Sequence, residues 1–236
     1  NKFSLHTIFT GNPGTGKTTV ARIMGKIFKA LGILERGHTV EVDRESLVAG
    51  FIGQTAIKTQ QKIDEALGGV LFIDEAYALA EGGSGNDFGK EAIEVILKRM
   101  EDLRGQFVVF AAGYTDNMNV FLTSNPGLNS RFDKKLHFED YTPEEMMKIA
   151  LHYFSKEELT VTQEAKNHLM IYFTDIHKNR DKFFGNARTV RQTISEAVKN
   201  QHLRMAKIAA SLRNEQDIYS LLLEDVAEFS YQGNSL

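Results

Sequence analysis

Apolar positions along the first 140 residues switch between two spacings. Leu5-His6-Thr7-Ile8-Phe9-Thr10 is a short strand-like run that ends in a glycine-rich turn. After it, Val20, Ile23, Met24, Ile27, Phe28 and Leu31 fall at helical intervals of three, four, seven and eight. His38–Asp43 reads as a second strand, and Thr55–Leu67 as a helix carried by Ile63, Ala66 and Leu67 and stopped by Gly68-Gly69. Val70-Leu71-Phe72-Ile73 and Phe107–Ala112 are apolar throughout, the mark of strands buried on both faces of a parallel sheet. A helix on Ala92, Val95, Ile96 and Leu103 separates them, and Leu136–Phe138 reads as a last short strand. Strands alternating with helices predict an α/β layer fold around a parallel sheet.

The pattern changes at Asp140-Tyr141-Thr142-Pro143-Glu144-Glu145. Thr142 suits an N-cap, Pro143 the first helical position, and Glu145 the far side of a capping box. Beyond it only helical spacing is found: Met146, Ile149, Ala150 and Tyr153; then Ala165, Leu169, Tyr172, Phe173 and Ile176. A longest helix, about 187–210, carries Val190, Ile194, Ala197, Val198 and Met205. The expected organisation is therefore an α/β body over residues 1–141 followed by a small all-α domain over 142–236.

Composition narrows the class. The chain has 236 residues, 42% of them hydrophobic and 25% charged, which excludes a disordered or fibrous chain. No apolar run approaches a membrane span, so no membrane partner is expected. The absence of cysteine excludes disulfides and thiolate metal sites and suits a reducing, cytoplasmic setting. The net charge of −3 is evenly spread: 16 Lys+Arg against 18 Asp+Glu over 1–141, and 12 against 13 over the rest. Neither half is basic enough to make nucleic acid the expected main partner. Asn1-Lys2-Phe3 leads directly into the first strand without a signal-type apolar region, which reads as a piece of something longer. The seven histidines form no metal-ligand spacing.

Gly11-Asn12-Pro13-Gly14-Thr15-Gly16-Lys17-Thr18 matches G-x-x-x-x-G-K-[ST] at every fixed position, after a strand and before an amphipathic helix. The glycines let backbone N–H groups close around phosphate oxygens, and Lys17 supplies a charge to the β- and γ-phosphates. The Thr18 hydroxyl ligates Mg²⁺, and Thr19 follows in the first turn, where the helix end favours an anion. Val70–Glu75 then delivers two carboxylates from the end of a buried strand. Asp74 is placed to hold Mg²⁺, and Glu75 to orient or deprotonate an attacking water. The implied ligands are ATP and Mg²⁺.

Taken together these motifs resemble an AAA+ ATPase. Phe9–Arg22, Gly68–Tyr77 and Asn125–Phe132 are similar to the CbxX/CfqX subfamily, which includes red-type Rubisco activase and stage V sporulation protein K, and the likeness covers essentially the whole chain. It implies a P-loop NTPase sheet flanked by helices, followed by a helical lid. Arg131, in Ser130-Arg131-Phe132, matches the arginine finger that reaches a neighbouring subunit's γ-phosphate. Arg188, in Gly185-Asn186-Ala187-Arg188, matches the lid's sensor 2. Tyr114 falls where many members carry a polar sensor 1 residue, often Asn, so the chain departs from the pattern there. Gly50-Phe51-Ile52-Gly53 stands where such motors carry an aromatic pore loop, although an aromatic tucked into the body is the alternative. Gly82–Asn86 reads equally as a second pore loop or a connector.

The leading expectation is an ATP-hydrolysing motor that assembles with itself into a ring, a hexamer by resemblance, and acts on a protein client. Two other readings stay open: a nucleic-acid-directed AAA+ loader, and a nucleotide-binding switch or scaffold with little turnover.

Overall fold

The computed structural model describes residues 5–51, 53–81 and 88–230. They divide into two compact units: Asn1–Gly11 with Gly16–Phe138, and Asn12–Thr15 with Glu139–Leu236. The tip of the glycine-rich turn thus groups with the second unit.

In the first unit, five parallel strands, β1 (Thr7–Gly11), β2 (Thr39–Val42), β3 (Val70–Ile73), β4 (Val108–Gly113) and β5 (Lys134–Phe138), lie in the order β2-β3-β4-β1-β5. Helices α1 (Lys17–Ala30), α2 (Arg44–Leu47), α3 (Gln54–Glu65), α4 (Phe88–Asp102), α5 (Thr115–Thr123) and α6 (Pro126–Arg131) connect them. Every residue of β1, β3 and β4 is buried, which explains the unbroken apolar sequences of β3 and β4; β1 also buries the hydroxyls of Thr7 and Thr10, which bond to Leu5 O and to the His137 ring. Successive side chains serve opposite faces. Ile8, Leu71, Ile73, Val109 and Ala111 pack under α3 to α6, whereas Phe9, Phe72, Phe110 and Ala112 pack with Ala21 and Phe28 of α1. The Phe9 and Phe110 rings stack at 4.8 Å between centroids. At the edge, β5 is mostly exposed, which admits Lys134 and Lys135 and lets the strand begin two residues before the expected Leu136.

One buried titratable group makes this unit sensitive to acid. His6 is 8% exposed, and its Nδ1 accepts the Val109 N–H at 2.9 Å, which requires that nitrogen unprotonated. Burial first, and then the charge of Arg131 against the weaker pull of Asp133, lower its pKa from 6.5 to about 4. The unfolded chain then binds a proton below about pH 6.5 that the native chain refuses until about pH 4. Stability is therefore full above 6.5 and falls as pH drops from 6.5 towards 4, by an amount on the order of 3 kcal/mol at the limit. Urea unfolding at pH 7.5 and 5 should show the loss in the wild type and a flatter profile in His6→Asn. Equal slopes would show that His6 is not the group responsible.

The second unit is built on α7 (Pro143–Lys156), α8 (Gln163–Lys178) and α9 (Ala187–Lys207), with the short α10 (Glu215–Ile218) and α11 (Leu223–Val226). Met146, Ala150, Phe154, Leu169, Phe173, Val190, Ile194 and Ala197 form its core. Its entry is the expected capping box: Thr142 Oγ1 accepts from Glu145 N, and Thr142 N donates to Glu145 Oε2 at 2.9 Å. The all-α expectation needs one correction. Thr160–Val161 (β6) and Ser220–Leu221 (β7) pair in parallel. A bidentate Arg204–Asp225 pair, at 2.9 and 3.0 Å with Asp225 1% exposed, fixes the ladder by also donating from Arg204 to Ser220 O.

Candidate nucleotide site

The register of the sheet aligns the chemistry. Thr10 lies opposite Gly113 and Ile73 opposite Ala111, so β1, β3 and β4 all end at the carboxyl edge. The glycine-rich turn follows β1, Asp74-Glu75 follows β3, and Tyr114 follows β4, which lies between them. Two strand spacings put the ends of β1 and β3 roughly 10 Å apart, room for a phosphate chain and a cation.

At Gly11 the chain turns with φ 137°, and a Cβ there would stand 2.3 Å from Phe138 O, so only glycine fits. Lys17, Thr18 and Thr19 form the first turn of α1, which carries no acidic residue to compete with an anion. Lys17 Nζ donates to Gly11 O at 2.9 Å, so the ammonium lies across the mouth of the turn. In the second unit, Asn12, Pro13, Gly14 and Thr15 form the tip, with Thr15 Oγ1 donating to Asn12 O at 2.9 Å.

Asp74 is half-buried. Its Oδ1 accepts the Glu75 N–H at 3.1 Å, and Glu75 itself is exposed at φ 47°, ψ 44°, a left-handed conformation that non-glycine residues seldom adopt. Neighbouring Tyr77 registers the field. Its pKa is raised from 10.0 to about 12, by burial first and then by the charges of Glu75, Tyr114, Glu81 and Asp74. Tyr114, the N-cap residue of α5, sets its ring 6.1 Å from that of Tyr77. Among the described residues no group of three or more His, Cys, Asp or Glu could hold a metal ion alone. The hard oxygen donors Thr18 and Asp74 in a negative field fit Mg²⁺, which keeps waters and takes phosphate oxygens as ligands.

Arg131 lies at the other edge. It is the last residue of α6, whose N-terminus is capped by Asn125 Oδ1 accepting from Gly127 N at 2.8 Å. The next strand, β5, begins opposite Thr7 at the amino end of β1, so the length of β1, roughly 15 Å, separates Arg131 from the phosphate turn of its own chain. Its Nη2 contacts Glu101 Oε2 at 2.5 Å, and Arg104 grips the same carboxylate at 2.7 Å. The pair lies beside a cavity of about 630 Å³ lined by Leu5, His6, Met100 and Phe107. Arg188 is in the second unit, exposed on the first turn of α9, with its N–H donated to Gly185 O at 2.9 Å.

Phe51 is 71% exposed between α2 and α3. The loop's base is fixed on both sides: Lys58 Nζ donates to Val48 O at 2.9 Å, Thr59 Oγ1 to Leu47 O at 3.0 Å, and Ala49 N to Thr55 Oγ1 at 3.0 Å. Gly53 is the N-cap of α3. Ile52 and the stretch Gly82–Asn86 lie outside the described residues. Sequence reasoning passed over Glu101 and Tyr77 as neighbours of these residues.

The comparisons agree with this geometry. The AAA family (ATPase family associated with various cellular activities) matches residues 7–140, and the AAA lid domain matches residues 142–235. Stage V sporulation protein K of Bacillus subtilis (strain 168) is 45% identical over 205 residues, 86% of this chain and 63% of that protein. The chloroplastic ribulose bisphosphate carboxylase/oxygenase activase of Cyanidioschyzon merolae is 42% identical over 222 residues, 94% of this chain and 75% of the relative. Protein CbbX of Cereibacter sphaeroides is 41% identical over 223 residues, 94% and 72% respectively. The chain thus spans between about two thirds and three quarters of these relatives' length. Among solved structures, the FIGL-1 AAA domain in complex with ADP superposes with a TM-score of 0.66 over 97% of this chain and 72% of that one. At 16% identity that likeness speaks for the fold alone. With both domains matched in order and relatives of the CbbX and CfxQ type above 40% identity, the chain belongs to the AAA ATPase family.

Proposed function

We propose that this chain is an ATP-hydrolysing motor that completes its active site between neighbouring copies in a ring and uses the cycle to remodel a protein client in a cytoplasmic setting. The observation that carries the reading is the split of the catalytic set across the sheet. Lys17, Thr18, Asp74 and Glu75 gather at the carboxyl edge, and Arg131 projects from the amino edge, too far to serve its own chain. In this reading Lys17 and the turn's N–H groups bind the β- and γ-phosphates. Thr18 and Asp74 hold Mg²⁺, which supplies charge neutralisation on the phosphoryl oxygens. Glu75 orients the attacking water and accepts its proton. Arg131 of a second copy stabilises the charge on the transferring phosphoryl, and Arg188 reports the γ-phosphate to the second unit. Tyr114 takes the sensor 1 position with a phenol in place of an amide. The client is read as protein because Phe51 is exposed, because neither half of the chain is basic, and because one relative is named as an activase of another enzyme. Among the described residues no helix is long and apolar enough to cross a membrane.

Turnover per chain should rise with protein concentration until assembly saturates, because an isolated copy lacks the finger. Lys17→Ala should bind ATP far more weakly and show no turnover at any concentration. A specific activity that stays constant on dilution through the dissociation of the assembly would refute the shared site.

A further inference from the structure

Within the second unit, the tip of the phosphate turn is held through its carbonyl oxygens. Pro13 O accepts from Asn186 Nδ2 at 3.3 Å, Gly14 O from Ala187 N at 3.1 Å, and Thr15 O from Tyr141 Oη at 3.1 Å. Asn12 O is taken by Thr15 Oγ1 within the tip itself. In a planar trans peptide the C=O of one residue and the N–H of the next point in opposite directions. Holding the carbonyls of Pro13, Gly14 and Thr15 on one side therefore turns the N–H groups of Gly14, Thr15 and Gly16 to the other. Those three donors are what an anion-binding nest requires. Pro13, whose own nitrogen carries no hydrogen, sits at the one place in this run where no donor is lost.

Asn186 organises the arrangement. It is fully buried, yet its backbone adopts φ 48°, ψ −122°, which side chains rarely adopt. Every polar atom of its amide is engaged. Oδ1 accepts from Tyr141 N at 2.8 Å, and the two hydrogens on Nδ2 are shared among three acceptors, Asp140 Oδ1 at 2.8 Å, Phe184 O at 3.1 Å and Pro13 O. Asp140 ties the amide to the tip again, accepting from Asn12 Nδ2 at 3.0 Å and from Arg180 Nε at 3.0 Å. Burial raises the Asp140 pKa, but the hydrogen bonds from Asn186, Asn12 and Arg180 outweigh it and hold the carboxyl below its ordinary value. Packing is close: a Cβ on Gly14 would stand 2.1 Å from Gly185 O.

We propose that Asn186 and Tyr141, with Asp140 behind them, are positioning residues that preset the phosphate-binding N–H groups of the turn by pinning the carbonyls on its opposite side. The proposal rests on the reading of the turn as an ATP site. None of the three needs to touch nucleotide. Their effect falls on the affinity for phosphate groups and leaves the chemistry of Glu75 and Arg131 as it is.

The test uses the full chain and Mg²⁺ complexes of ADP and ATP, with affinity by calorimetry, turnover against ATP concentration, and a thermal melt without nucleotide. Tyr141→Phe removes one donor and little else, and should weaken ADP and raise KM about three- to tenfold, the worth of one neutral hydrogen bond. Asn186→Gly removes the amide while suiting the backbone, and should weaken binding about tenfold or more. In both, kcat at saturating ATP should stay near the wild-type value. A Tyr141→Phe chain that melts like the wild type and binds ADP equally well overturns the inference, even if Asn186→Gly fails to fold. So does a loss confined to kcat with KM unchanged. A wild-type chain that binds neither ADP nor ATP overturns the inference together with the reading beneath it, whereas wild-type binding with unaffected variants overturns the inference alone.

Discussion

Arg131→Ala should bind ATP within about twofold of the wild type and lose turnover by roughly 10³–10⁵, the range that trans-acting arginines contribute in other nucleotidases. The geometry separates the two quantities. In the proposed reading affinity is set at the carboxyl edge by Lys17 and the turn, whereas Arg131 ends α6 three residues before Lys134, which pairs with Thr7 at the amino end of β1. Its partner in the isolated chain is Glu101, itself shared with Arg104. That is a partly exposed ion pair, of a kind readily exchanged for a better one. In the proposed ring a phosphoryl group crossing to water would present more charge than Glu101 does. Mixing gives a sharper test. A Lys17→Ala chain should bind ATP far more weakly but still offer a finger, and an Arg131→Ala chain should bind nucleotide but offer none. Together they should recover activity that neither has alone. Absence of recovery, or an equal loss of ATP affinity in the two single variants, would end the trans-finger account.

How much of this was legible in the sequence depends on which forces place each residue. β3 and β4 were readable because burial on both faces leaves no polar position to confuse the pattern, and β1 because Ile8 and Phe9 lead straight into the glycine-rich turn. The phosphate turn was readable because its demands are on the backbone, and few residues meet them: Gly11 has no alternative against Phe138 O. By contrast α5 and α6 were passed over, and with them the element that ends in Arg131. Both are short, at nine and six residues, with too few turns for a periodic signal. Asn125-Pro126 was the available cue, an N-cap followed by proline at the first helical position. The β6–β7 pair of two residues each lies below what alternation can reveal. The network on Asn186 left no pattern either. It joins residues up to 173 positions apart through polar atoms, and sequence spacing carries no record of such bonds. The left-handed backbone of Glu75 is likewise a product of its surroundings, since nothing in its neighbours calls for it.

Phe51→Ala should separate gripping a client from burning ATP. A motor must hold unrelated stretches of polypeptide, so the contact has to come from area and shape without reading sequence. A phenyl ring offers much apolar surface for few rotamers lost. At 71% exposure Phe51 contributes little to the core. The loop beneath it does not depend on it, because Lys58, Thr59 and Thr55 fix both sides through backbone carbonyls and an N–H. The substitution should therefore change stability by no more than about 0.5 kcal/mol, as at other surface positions. Removing a packed phenylalanine would cost about 3–5 kcal/mol and lower the melting temperature visibly. The route from phosphate to ring is short: β2 pairs with β3, β3 leads to Asp74, and β2 leads through Asp43 and α2 to the loop. Basal turnover and ATP affinity should accordingly survive, while stimulation of turnover by an unfolded polypeptide, and with it work on a protein client, should disappear. A large drop in melting temperature would assign Phe51 to the body of the first unit. An unchanged melt with unchanged stimulation would leave the ring exposed for some purpose other than gripping a chain.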